Sequence, residues 1–215
     1  DRLTQLYNWR FMAQYLKERF GWLAAQKVPL SVILLDLDDF KQVNEAHGRL
    51  AGDVVLRQVA RLLHEGRRRG GYAVRYAGDE FFVFLEGADG ARAMSVAEAI
   101  RSRVGAEPIV VPHTASGIPV QASLGVVTFP DEAQTASGLI EKARRALAHA
   151  KRLGKNRASL DVGERLPTEK EALRQLHRPR LQGRERQLDL FKALFEEAPS
   201  GRNRFVLLEG EHGTG

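Results

Sequence analysis

The 215-residue chain carries 33 Lys/Arg against 27 Asp/Glu and no cysteine, which excludes a disulfide framework and thiolate chemistry and agrees with a cytoplasmic protein. No apolar run nears the roughly 18 residues that a membrane-crossing helix needs, and no signal peptide is present. The positive excess lies in residues 1–160 (23 against 17) and vanishes in 161–215 (10 against 10); without a helix-turn-helix, RRM-like or zinc-finger pattern it does not predict a nucleic-acid binder.

Helical spacing of Phe11, Tyr15, Leu16, Phe20 and Leu23 predicts a helix over residues 7–26. The apolar run from Leu30 predicts a strand to Asp36, ending in Asp36-Leu37-Asp38-Asp39-Phe40-Lys41. Strand alternation puts Asp36 and Asp38 on one face, and carboxylates at a strand end are hard oxygen ligands suited to Mg²⁺. A short helix over 40–46 follows, then Gly48, and a longer helix from Gly52 to about Glu65 with Val55, Leu56, Val59, Leu62 and Leu63 on its apolar face. Apolar residues at Tyr72, Val74 and Tyr76 and again from Phe81 to Leu85 flank Ala77-Gly78-Asp79-Glu80. This predicts a β-hairpin with acid at its tip, and a clefted acid pair is costly unless it meets positive charge. Alternation sends Asp79 and Glu80 to opposite faces, so the two should not share a role.

Further along, a helix is predicted over 90–104, strands over 109–112 and 120–128, a helix over 136–153 ending at Gly154, and a last strand over 158–162. Strands with interspersed helices and a central hairpin predict an α+β domain over 1–162, its mostly antiparallel sheet flanked by helices. Residues 163–180, charged and broken by Pro167 and Pro179, read as a linker. Residues 181–215 end in a predicted strand, 204–209, followed by Gly210-Glu211-His212-Gly213-Thr214-Gly215. That is the phosphate-loop pattern GxxxxGK[ST] stopping before its Lys; a glycine-rich tail is the other reading. The segment resembles the start of an AAA- or STAND-type ATPase. The chain opens at Asp1 rather than Met, which reads as a piece of a longer protein.

Five ordered segments together resemble the GGDEF family of diguanylate cyclases. Asp1-Arg2-Leu3-Thr4-Gln5-Leu6-Tyr7-Asn8 resembles DxLTGLxN, with Gln5 for Gly and Trp9 for the following Arg. Asp36 to Asn44 matches DxDxFKxxN, and Gly52-Asp53 with Leu56 matches GDxxL. Ala77-Gly78-Asp79-Glu80-Phe81 is the signature with its first Gly replaced, and Ala150 to Asn156 matches AKxxGRN with Lys155 for Arg.

The resemblance implies a palm-like nucleotide-cyclase fold and condensation of two GTP into cyclic di-GMP, with release of two pyrophosphates, across a homodimer. It implies a metal site from Asp36, the Leu37 carbonyl and Asp79, holding Mg²⁺ or Mn²⁺. Asp79 would also be the base for the 3′-hydroxyl, with Glu80 as the neighbouring acid. Phe40 (through its backbone N–H), Lys41, Lys151 and Lys155 would hold the triphosphate; a basic helix C-terminus also accounts for the last two. Lys155 replaces a bidentate fork by a point charge, so weaker phosphate binding is expected. Asn44 and Asp53 would read guanine, and Asp53 also suits the N-cap of the long helix. Asp38 would serve either as support for the site or as a structural residue.

The product-inhibition motif Arg-x-x-Asp aligns with Arg68-Arg69-Gly70-Gly71 and lacks its Asp, so little feedback inhibition is expected. Ala77 costs about 1 kcal/mol if the hairpin needs positive φ there, and little otherwise. A different class of function, a silent GTP-binding or dimerisation module regulating the downstream ATPase, is the alternative, favoured by Trp9, Ala77 and Lys155. His47, His64, His113 and His149 show no metal-ligand spacing.

Overall fold

The computed structural model describes residues 1–66, 71–112 and 117–160. The linker at 163–180, the ATPase-like segment at 181–215, His113 and the Arg68–Gly70 part of the inhibition motif lie outside the described residues.

Six strands form one sheet in the order β1-β3-β4-β2-β5-β6. The strands are β1 (Tyr7–Asn8), β2 (Leu30–Leu37), β3 (Gly71–Ala77), β4 (Glu80–Glu86), β5 (Ala122–Phe129) and β6 (Ala158–Leu160). The helices are α1 (Trp9–Ala25), α2 (Phe40–His47), α3 (Arg49–Gly66), α4 (Gly90–Val104) and α5 (Ala136–Arg152). The helix-flanked α+β architecture agrees with the sequence reading, but the sheet is mixed rather than mostly antiparallel. β2 runs antiparallel to β4 and β5, and β3 to β4, whereas β1 lies parallel to β3 and β6 parallel to β5. Tyr7 and Asn8, predicted as helix, form a parallel edge pair with Val74 and Arg75 instead. The Asn8 side chain caps α1, accepting from the backbone N–H of Arg10 and Phe11. The strand predicted at 109–112 reduces to one bridge, Ile109 with Ile118.

β2 sits at the centre, and its apolar run has a physical reason: both faces are covered by helices. Ile33 and Leu35 enter one cluster with Val55, Val59 and Leu63 of α3 and Ala93 and Ala97 of α4. Val32 and Leu34 enter another with Met12 and Tyr15 of α1 and Leu139, Ala143 and Leu147 of α5. Two close approaches fix the helices that carry the candidate site. A Cβ at Gly125 of β5 would stand 2.2 Å from the Ala143 carbonyl oxygen and 2.4 Å from the Leu147 nitrogen. The bare glycine therefore lets the α5 backbone settle directly on the sheet, a seat completed by the small residues Ala143, Ala146 and Ala150. A Cβ at Gly52 would stand 2.0 Å from Asn44 Oδ1 and 3.1 Å from the Phe40 ring. This glycine locks α3 against α2.

Candidate active site

The site residues gather where β2 and the β3–β4 hairpin end. The hairpin is as predicted: Ala77 pairs with Glu80 around Gly78-Asp79, with a register shift between Arg75 and Ala77. Gly78 takes φ +52, which suits glycine. Ala77 does not: it has no positive φ and is exposed. The conditional strain at the replaced glycine is therefore absent.

Asp36 is the cross-strand partner of Glu80, so both face the α5 side of the sheet. Lys151 of α5 donates from Nζ to Asp36 Oδ1 at 2.7 Å. Arg144, two turns earlier, donates to Glu80 Oε1 at 3.4 Å and lies 5.1 Å from the centre of the Tyr76 ring. Burial pushes the Asp36 carboxyl above its ordinary range; Lys151 opposes this, and the charges of Asp79 and Asp38 add to it. Asp79 is raised too, first by burial, against its own backbone N–H and the Lys151 charge, with Glu80 adding to the rise. Two desolvated carboxylates that repel one another, with one amine bonded to the first and felt by the second, form a site that favours added positive charge. Among the described residues no group of three His, Cys, Asp or Glu side chains is assembled for a metal.

Asp38 makes structural bonds beside the site. Buried at 9% exposure, its carboxylate accepts from Ser123 Oγ at 2.7 Å and from the Asn156 N–H at 2.9 Å. It thereby ties β2 and β5 to the turn after α5. That turn runs through three positive φ values, at Gly154, Lys155 and Asn156. Lys155 Nζ donates to both oxygens of Asp39, at 2.7 and 2.9 Å.

On the other side of the hairpin, Asn44 packs on Gly52, and Asp53 lies near enough to Arg75 for their charges to interact. α3 begins at Arg49, three residues before the predicted start, so Asp53 is its fifth residue and not its N-cap. Lys41 projects from the first turn of α2 with its side chain 89% exposed, 3.5 Å from Glu45. The Phe40 ring is buried, and Leu37 is 1% exposed. The structure thus brings Asp36, Asp79, Glu80 and Lys151 to one strand end. It leaves Lys41 and Lys155 on separate carboxylates.

Arg75 was missed as a site residue. Its Nε donates to the Gly78 carbonyl at 2.9 Å, and its NH1 donates to Asp1 Oδ1 at 3.0 Å. The same Asp1 oxygen accepts from the Thr4 N–H and hydroxyl. Arg75 also feels the charges of both Asp53 and Asp79, so it links the turn, the chain start and both halves of the site. A signal was available: Arg75 is the charged residue in an otherwise uncharged strand. Arg144 offered none, being 64 residues from Glu80.

The family model for the diguanylate cyclase GGDEF domain matches residues 1–157. The chain belongs to the GGDEF diguanylate cyclase family. It is 36% identical over 163 residues to the diguanylate cyclase DosC of Escherichia coli K12, covering 74% of this chain and 34% of DosC. It is 36% identical over 135 residues to diguanylate cyclase A of Treponema denticola, covering 63% of this chain and 36% of that protein. The matched region thus spans about a third of each relative. The GGDEF domain of TpbB (YfiN) from Pseudomonas aeruginosa superposes with TM-score 0.70 at 30% identity, covering 75% of this chain and 93% of that one. No helix among the described residues is long and apolar enough to cross a membrane.

Proposed function

We propose that this GGDEF domain condenses two GTP into cyclic di-GMP and releases two pyrophosphates, each of two facing protomers supplying one GTP. The observation that carries the reading is the charge-frustrated strand end: two desolvated carboxylates, Asp36 and Asp79, both feel the charge of Lys151. Asp36, the Leu37 carbonyl and Asp79 suit Mg²⁺ or Mn²⁺, because a dication relieves the repulsion that one amine relieves only in part. Such an ion, when bound, would polarise phosphate oxygens.

The chain's own residues supply the rest. Asn44 and Asp53 address the O6, N1–H and N2–H₂ edge of guanine; a carboxylate facing adenine's bare N1 is repelled, so GTP is favoured over ATP. The backbone N–H of Phe40 donates to the triphosphate, and the amines of Lys41, Lys151 and Lys155 hold it as point charges. Asp79 accepts the proton of the 3′-hydroxyl as that oxygen bonds to the α-phosphorus of the partner's GTP and pyrophosphate departs. Glu80, held towards α5 by Arg144, stands as the neighbouring acid.

The deciding experiment is GTP turnover with Mg²⁺ across protein concentrations, with products identified by mass. Cyclic di-GMP formed with steep concentration dependence, and lost in Asp79→Ala, is the expected result. GTP binding without product at any concentration would move the reading to a regulatory module for a downstream ATPase. The negative φ region at Ala77 removes one argument for that alternative.

A further inference from the structure

Of the three lysines assigned to the phosphates, Lys41 is largely exposed beside Glu45, while Lys151 and Lys155 are each hydrogen-bonded to a carboxylate, and those two carboxylates differ. Lys151 rests on Asp36, which the functional reading gives to a cation, so binding of that cation would release Lys151. Lys155 rests on Asp39, which has no such second partner. Asp39 occupies the N-cap position of α2 in a left-handed conformation (φ 57, ψ 26), yet its side chain makes no capping hydrogen bond. Both of its oxygens instead face Lys155 Nζ, at 2.7 and 2.9 Å. The Lys155 backbone is fixed by its N–H to the Ala150 carbonyl and by the neighbouring Asn156–Asp38 bond. Only its side chain is free to choose between Asp39 and a phosphate.

Resting on the functional reading above, we infer that Asp39 is an affinity-setting residue that competes with the triphosphate of the substrate for Lys155. Each binding event must break the Asp39 pair and bring phosphate oxygens near a remaining negative charge. Both side chains are close to half exposed, 43% and 48%, so the competition is modest and sensitive to salt. The effect falls on the phosphates and not on the base.

Asparagine tolerates the left-handed conformation, which makes Asp39→Asn a clean probe. The 215-residue chain is titrated calorimetrically, with Mg²⁺, against GMP and against 3′-deoxy-GTP, which lacks the hydroxyl needed for cyclisation. Asp39→Asn is expected to tighten 3′-deoxy-GTP about threefold to fivefold at low ionic strength and to leave GMP unchanged. The gain should shrink in about 0.5 M salt and disappear in a Lys155→Ala background, as a double-mutant cycle would resolve. Unchanged or weaker triphosphate binding in Asp39→Asn, with wild-type binding intact, overturns the inference alone. An equal gain without Lys155 also overturns it, since Asp39 would then act by direct repulsion. Failure of the wild type to bind either nucleotide overturns both this inference and the functional reading beneath it.

Discussion

The two sides of the signature hairpin are prepared in opposite ways. On the α2–α3 side, Asn44 is set by packing: Gly52 brings the helices so close that a methyl group would collide with the Asn44 amide. On the α5 side, three cations already rest on carboxylates, Lys151 on Asp36, Arg144 on Glu80 and Lys155 on Asp39, while the Asp79 carboxyl stays desolvated. One side is packed by sterics, and the other is only partly neutralised by exchangeable ion pairs. Under the proposed function a base would dock on the first. Phosphate and metal must displace existing bonds in the second, so its affinities should depend more on salt.

The largest expected effects break the charged side. Asp36→Ala should abolish cyclic di-GMP formation, by roughly 10³-fold or more, while Kd for GMP, measured by calorimetry, changes little. Gly125→Ala should act on the same side through structure. Its Cβ collides with α5 backbone and not with a movable side chain, so α5 must shift and carry Lys151 with it. A loss of roughly 2–4 kcal/mol in urea unfolding is expected. An unchanged midpoint would show that α5 does not depend on the contact.

The base side is tested next. Gly52→Ala pushes the Asn44 amide from its place. The ratio of GTP to ATP affinity should fall by roughly 10-fold, the cost of one misplaced hydrogen-bonding group. Stability should fall less than in Gly125→Ala, because the end of an Asn side chain can move. Equal losses of GTP and ATP binding would show a general collapse of the loop in place of a lost base contact.

These contrasts also explain what the sequence disclosed. Period and punctuation revealed the hairpin, the central strand and α4, since each depends on local pattern. The gathering of Asp36, Asp79 and Lys151 at one strand end was legible through their order along the chain and the motifs around them. The parallel edge pairings were not: β6 was expected as a strand but not its direction, while β1 is two residues long, and its pairing with β3 is a tertiary choice that no local period encodes. Neither Asp39–Lys155 nor Glu80–Arg144 could be read, because each joins positions more than sixty residues apart. The N-cap alternative for Asp53 failed for a local reason: α3 begins at Arg49, directly after Gly48, whose φ of +83 ends α2.

The smallest effect expected is one of stability and runs against habit. The folded Asp79 carboxyl titrates above its ordinary value of 3.8, chiefly from burial, so the metal-free fold binds this proton more tightly than the unfolded chain does. Its contribution to stability is therefore fully present below about pH 3.8 and is lost as pH rises through the raised folded value. At neutral pH the ionised group is a burden to the metal-free protein. Asp79→Asn should raise the metal-free Tm at pH 7 by roughly 1–3 °C and have no such benefit near pH 3.5. The same substitution should reduce any Tm increase that Mg²⁺ gives the wild type. A lower metal-free Tm at pH 7 would mean that Asp79 is held by more favourable contacts than its own N–H and the charges of Lys151 and Arg75. The charged side would then be satisfied in the free protein, and the contrast with the base side would fail.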